Sequence, residues 1–282
     1  MIFVILSKNI FSFLLFWELM SGVSFLLVLY DYKEEENVKS GIIYFIMTHI
    51  GTVFIILSFG IFYYISSSTE FYNWENIYMD DNLKFLIFLF GLIGFGTKAG
   101  LFPFHIWLPK AHPVTPSNIS ALMSGVMLKV AVFMLVQYFF VFLNNYPVGF
   151  GFLVLAVGSI TAVYGILYGY VSNDIKKLLA YSSMENIGII VMAMGIAMIF
   201  KSYGVVLLAG IGFIAMLYHT LNHAVFKSLL FMSSGVILLK ARTKSMDKLG
   251  GLIKSMPITS ILTLIGILGI TALPPFNGFV SE

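Results

Sequence analysis

The chain has 282 residues, of which 59% are hydrophobic and 10% charged, with no cysteine and a formal net charge of +3. Soluble domains carry about 25% charged residues, and a mean hydropathy of +0.96 leaves too little polar surface to cover an exterior that faces water. Disulfides and thiolate-held metals are excluded, and the small positive charge reads as lysine-rich loops beside a bilayer, with no nucleic-acid partner expected.

Apolar runs of about 20 residues recur without strict alternation, which is the length and pattern of transmembrane helices rather than of a barrel. Eight crossings are expected, near Asn9–Tyr30, Ser40–Ile65, Leu83–Phe104, Ile119–Leu143, Val148–Tyr170, Lys177–Phe200, within Tyr203–Leu239, and Pro257–Glu282. The first run leads into Glu18 without a small-residue cleavage site, so no removable signal is expected. The seventh segment is ambiguous, because one helix over Tyr203–Leu239 is about 55 Å long against a hydrocarbon core of about 30 Å. Loop charge decides. With one crossing there, Lys33, Lys39, Lys110, Lys176, Lys177, Lys240, Arg242, Lys244, Lys248 and Lys254 share a side, and Lys8, Lys84 and Lys201 take the other. That ten-to-three bias marks the first side as cytoplasmic. The fold class is therefore all-α, a polytopic transmembrane bundle forming a single domain over 1–282.

Two crossings carry helix breakers. Gly94, Gly96 and Gly100 precede Pro103 in the third, and Gly269, Pro274, Pro275 and Gly278 interrupt the eighth. Discontinuous helices at related positions, each near an ionisable residue, point to a transporter built from inverted repeats. The plainer alternative is that Gly and Pro are simply frequent in membrane helices.

An ionisable side chain at the bilayer centre costs at least ~2.5–3.5 kcal/mol, so each needs a partner, a wet cavity or a function. Glu18 and Lys98 are expected to pair, either as a switchable proton site or as a static pair that fixes packing. Lys129 lies midway through its helix, too deep to snorkel. It reads as a proton carrier, or alternatively as a donor to free carbonyls of a broken helix. His219, His223 and Lys227 recur at i, i+4 and i+8 and so share one helix face. A proton path suits that stripe better than packing or zinc, since no HExxH pattern accompanies it. Glu185 adds an intramembrane acid beside Ser182, Ser183 and Asn186, and Glu282 ends the last apolar run. His105 and His112, among the four prolines of the segment after the third crossing, read as structural or gating groups. No cofactor-binding, nucleotide or nucleophile motif is present, so no cofactor is expected in this chain.

The segment "GTKAGLFPFHIWLPKAHPVTPSNISALMSGVMLKV" resembles the proton-antiporter-like membrane subunits of complex I and its relatives. "DIKKLLAYSSMENIGII" and "YHTLNHAVFKSLLF" resemble the hydrogenase-linked branch, with hydrogenase-4 component B and the membrane subunit of formate hydrogenlyase. Glu185 stands where complex I subunits usually carry His, which favours that branch. The resemblance implies that Glu18 matches the family's fifth-helix glutamate, Lys98 the lysine of its first broken helix, and Lys129 the lysine of the following helix. It places His223 and Lys227 on the family's HxxxK relay and Glu282 on the terminal charge of the second broken helix. It implies a non-catalytic proton-pumping subunit of an oxidoreductase complex in the plasma membrane. The partners it implies are other membrane subunits and a hydrophilic Fe–S/hydrogenase or NADH-oxidising arm, with lipid around them. The alternative is a cation/proton exchange subunit of a multisubunit sodium/proton antiporter. Family members usually have about fourteen helices, so this chain is expected to be a partial member without the early and late helices.

Overall fold

Three acidic or amide caps set where helices begin. Asn9 accepts from the Ser12 amide, Asp80 from the Asn82 amide, and Asp174 from the amides of Lys176 and Lys177. Each satisfies backbone donors that a helix leaves unpaired in its first turn. The computed structural model describes residues 1–75, 77–143 and 145–281. In chain order its main helices are α1 (Ile10–Val28), α2 (Glu35–Ser66), α3 (Asp81–Ala99), α4 (Leu108–Val114) and α5 (Ser117–Phe142). They continue with α6 (Val148–Tyr170), α7 (Ile175–Ser202), α8 (Val206–Ala241), α9 (Pro257–Ile270) and α10 (Asn277–Ser281). Helix α5 widens into π turns at Met123–Met127 and Gln137–Phe142.

Seven of the described helices, α1, α2, α3, α5, α6, α7 and α8, are long and apolar enough to cross a membrane. The eighth expected crossing is α9, of 14 residues, followed by a break and then α10. The chain is thus a multi-pass membrane protein of the all-α class. The ambiguous seventh segment is one unbroken helix of 36 residues. Contacts between loops agree with the sidedness this gives. Asn9 bridges Glu70 on one side, while Asp174 bridges Ser245 and the Lys244 ammonium donates to the Pro113 carbonyl at 2.8 Å on the other.

The bundle has apolar side chains outside and polar ones inside. Leu15, Leu26, Ile166, Ile214 and Leu221 are exposed on the helix surfaces, while Lys98, His112, His219, His223 and Lys227 are buried. Lipid removes the hydrophobic drive between helices, so close backbone packing must replace it. Between α6 and α7 it does so at glycines. A Cβ added at Gly158 would lie 2.7 Å from the Met192 amide nitrogen, and one at Gly188 would lie 2.5 Å from that of Ala162. Towards the lysine-poor side, Phe13, Phe59, Phe62, Phe71, Trp74 and Tyr138 form an aromatic core, with Phe62 stacked on Trp74 at 4.5 Å.

Gly158→Leu should force α6 and α7 apart and cost at least ~1–3 kcal/mol. Thermal unfolding in mild detergent should show it as a lowered Tm. Gly60→Ala, at a helix position with no neighbour within 4 Å of the added carbon, should leave Tm unchanged or slightly raised; equal effects from both would refute close packing at Gly158.

A buried polar ladder as the candidate functional site

The two breaks have the same local construction. Helix α3 ends at Ala99, Gly100 takes a left-handed φ of 83°, and a cis Phe102–Pro103 bond follows. Helix α9 ends at Ile270, Ala272 takes a φ of 48°, and a cis Pro274–Pro275 bond follows. A break frees carbonyls that must be satisfied inside the protein. The Trp107 indole supplies one such donor, reaching the Thr97 carbonyl at 2.7 Å. Lys98 thereby sits in the last turn of α3 with its side chain directed into the bundle.

Lys98 does not form the expected ion pair with Glu18. Its ammonium donates to the Ser21 hydroxyl at 3.0 Å and the Tyr44 hydroxyl at 2.8 Å. Glu18 instead accepts from the Thr52 hydroxyl at 2.6 Å and lies 3.1 Å from His49 Nε2. The physical reason is that α2 offers each charge a neutral or basic partner of its own, Tyr44 to Lys98 and Thr52 with His49 to Glu18. Glu18 remains an electrostatic neighbour of Lys98 and of Tyr44.

From Tyr44 the polar groups continue across the bundle. The Tyr44 hydroxyl shares a 2.5 Å hydrogen bond with Ser24 and lies 3.7 Å from the Met127 sulfur, at the π turn of α5. There the Lys129 ammonium donates to the carbonyl of Ser124, and the Ser124 and Ser183 hydroxyls are hydrogen-bonded at 2.8 Å. A π turn changes the backbone pairing of the helix, and the lysine meets a carbonyl within it. The donor role left open for Lys129 was towards free carbonyls of a broken helix; the acceptor is instead a carbonyl in the π turn of its own helix.

On α7 and α8, Lys227 donates to the Leu179 carbonyl at 3.0 Å and to the Ser182 hydroxyl. Glu185, half-buried one turn along α7, is its electrostatic neighbour. His219 and His223 face the same way as Lys227, with nearly parallel rings 6.5 Å apart. His219 is held by Asn186 Oδ1 at 3.2 Å and by the Ser281 hydroxyl at 3.0 Å. Among the described residues, neither ring nitrogen of His223 has a hydrogen-bond partner. With both nitrogens of His219 engaged, the zinc alternative for this pair finds no support in the geometry. Ser281 belongs to α10, so the second broken helix closes the far end of the ladder. Glu282 lies outside the described residues.

His105 and His112 lie between α3 and α5, outside the spanning helices. Burial pushes the His105 imidazole down to about 4. Burial, followed by the charges of Lys176, Lys227 and Lys129, pushes that of His112 to about 3. Both rings are neutral near pH 7. Sequence reasoning missed Ser21, Tyr44, His49, Thr52 and Ser124. The signal for part of this set was present, since Tyr44, Thr48 and Thr52 recur at i, i+4 and i+8, the spacing that exposed the α8 stripe.

The family model described as "NADH:quinone oxidoreductase/Mrp antiporter, TM" matches residues 7–282. Hydrogenase-4 component B of Escherichia coli is 41% identical over 100% of this chain and 42% of its own length. A protein of the Na(+)/H(+) antiporter of Bacillus subtilis is 33% identical over 100% of this chain and 35% of its own length. The solved Mrp complex from Dietzia sp. contains a chain that superimposes with a TM-score of 0.86 at 25% identity, over 99% of this chain and 30% of that one. The chain thus spans about two fifths or less of the length of these relatives. With the model matched over nearly its whole length, and with broken helices flanking a ladder of buried lysines and histidines, this chain belongs to the NADH:quinone oxidoreductase/Mrp antiporter membrane family.

Proposed function

We propose that the chain is a proton-translocating membrane subunit, or its core, of a redox-driven hydrogenase or complex I-like assembly. The observation that carries this reading is the run of polar groups that begins at the partly exposed Glu18 and His49 and continues inside the bundle through Lys98, Tyr44, Lys129 and Lys227 to His219 and Ser281. Such a run is costly in a membrane and has value if protons move along it. Glu18 acts as a switch with two partners. Held by His49 and Thr52, it leaves Lys98 with neutral hydroxyls; swung to Lys98, it compensates the ammonium. Lys98 holds or releases its proton according to that choice, and Tyr44 connects it to the π turn and Lys129. Glu185, His223 and Glu282 complete the path towards the second break.

The redox centres belong, on this reading, to a hydrophilic Fe–S/hydrogenase or NADH-oxidising arm, with no cofactor in this chain and further membrane subunits beside it. The cell membrane is the proposed location, with the lysine-rich side cytoplasmic. The resemblance to hydrogenase-4 component B supports this assignment. The second reading, a cation/proton exchange subunit of a multisubunit sodium/proton antiporter, draws on the 33% identity to the Bacillus subtilis antiporter protein and on the superposition with the Mrp complex.

Mass spectrometry of what co-purifies with the native chain in mild detergent separates the two. Iron–sulfur and hydrogenase subunits support the first reading, and small antiporter subunits alone support the second. In the native assembly, Lys98→Met should abolish redox-driven proton movement and spare electron transfer; full pumping by that variant would remove Lys98 from the path. Tyr44→Phe keeps the ring and deletes one acceptor of Lys98 and the link to α5. It should slow proton flux about tenfold or more and cost ~1–3 kcal/mol of stability, as read by flux and Tm on the same sample.

A further inference from the structure

His112, on α4, is completely buried, yet among the described residues neither of its ring nitrogens has a hydrogen-bond partner. It lies off the ladder described above. A neutral imidazole carries one donor and one acceptor, and leaving either unmade in a dry interior costs about 1–3 kcal/mol. A leucine or phenylalanine would fill the same space without that cost, so the ring reads as a group that meets water. Buried polar groups of this kind commonly bind ordered water.

Its position gives that water somewhere to come from and somewhere to go. On the lysine-rich side a cavity of about 870 Å³ is lined by Asp31, Glu34 and Glu36 together with Thr115, Lys176 and Lys244. The Lys176 ammonium donates to the Thr115 carbonyl, and the Thr115 hydroxyl donates to the Ala111 carbonyl at 2.6 Å. The inner wall of the cavity is therefore the end of the helix that carries His112. The charged groups acting on the ring are Lys176 of α7 at the cavity, and Lys129 of α5 and Lys227 of α8 on the ladder. The face of the ring stacks on Phe231 of α8 at 4.8 Å, and the unpartnered nitrogens lie at its buried edge.

We propose that His112 relays protons between this cavity and the ladder, so that the lysine-rich side has a branch leading to Lys129 and Lys227. The inference rests on the proton-translocation reading of the ladder. In each transfer a hydronium on the cavity side gives its excess proton to the free ring nitrogen and returns to water, while the other nitrogen gives its proton to a water on the ladder side, which passes the excess proton on to the ladder. The ring ends neutral in its other tautomer, and a half-turn about the Cβ–Cγ bond re-aims its N–H before the next transfer.

The test uses the native assembly in proteoliposomes, with charge movement recorded electrically so that buffering by an added base does not enter the signal. His112→Ala should slow charge movement at least ~10-fold, and added imidazole should restore it in proportion to its concentration. His112→Phe, which fills the space, should keep the wild-type Tm and be equally slow with no rescue. Wild-type rates in either variant overturn the relay, and so does a slow His112→Ala that imidazole does not restore, since that outcome marks a packing role. An assembly in which the unmodified protein moves no charge under a redox donor or a sodium gradient refutes the underlying reading instead.

Discussion

The constraint on which the rest depends is how buried ammonium groups are compensated. Among the described residues, Lys98, Lys129, Lys176 and Lys227 are in no ion pair with a carboxylate; each donates to hydroxyls or backbone carbonyls. The direct lysine–carboxylate contacts that do occur, Lys39–Glu35 and Lys84–Asp81, involve exposed acids at helix starts. This difference has a chemical consequence. A lysine locked to a carboxylate cannot lose its proton without leaving a buried, uncompensated negative charge. A lysine on a carbonyl or hydroxyl can, because the neutral amine still donates to the same acceptor. Neutral acceptors thus accommodate both protonation states in one geometry.

Two of those acceptors, for Lys129 and Lys176, come from irregular backbone, since a regular helix pairs its own carbonyls. The Ser124 carbonyl lies in a π turn of α5, where Gly125 abuts Ser228 and Ala224 of α8. The Thr115 carbonyl lies at the end of α4, before Pro116. The Leu179 carbonyl, within α7, serves both the Ser183 hydroxyl and Lys227. Helix packing and proton chemistry are then one problem, because the glycine that lets α5 approach α8 lies within the turn whose carbonyl holds Lys129.

Much of this was legible in the sequence, for a physical reason. Lipid forces every crossing to be a helix of about 20 apolar residues, so the spans, the two breaks and the unbroken α8 could be read from composition and loop charge. The stripe of His219, His223 and Lys227 followed from helical period alone. The partner of Glu18 did not. Whether Glu18 meets Lys98 or His49 depends on the rotation of α2 against α1 and α3, a tertiary quantity that the 3.6-residue period leaves free. The π turn at Met123–Met127 was hidden for the same reason, since "LMSGVML" is compatible with an ordinary helix until a neighbour presses on Gly125.

The separation of Glu18 from Lys98 has a further meaning for any ion-moving role. Two hydroxyls, from Ser21 and Tyr44, hold the ammonium, and a histidine and a threonine hold the acid. Both charges are therefore accommodated apart, and bringing them together exchanges these hydrogen bonds for one ion pair. Two arrangements with comparable compensation are what a switch requires, because a small bias from outside the chain can then select between them. A tightly made Glu18–Lys98 pair would have been a poorer device, since breaking it would strand two charges in hydrocarbon. The side chains of Glu18 and His49 are also partly exposed, at 36% and 41%, so the acid's end of the arrangement is open to groups outside this chain. On the proton-translocation reading, such groups would bias the position of Glu18 without touching Lys98, and Tyr44, which contacts both Lys98 and Met127, is the connection from there to the π turn of α5.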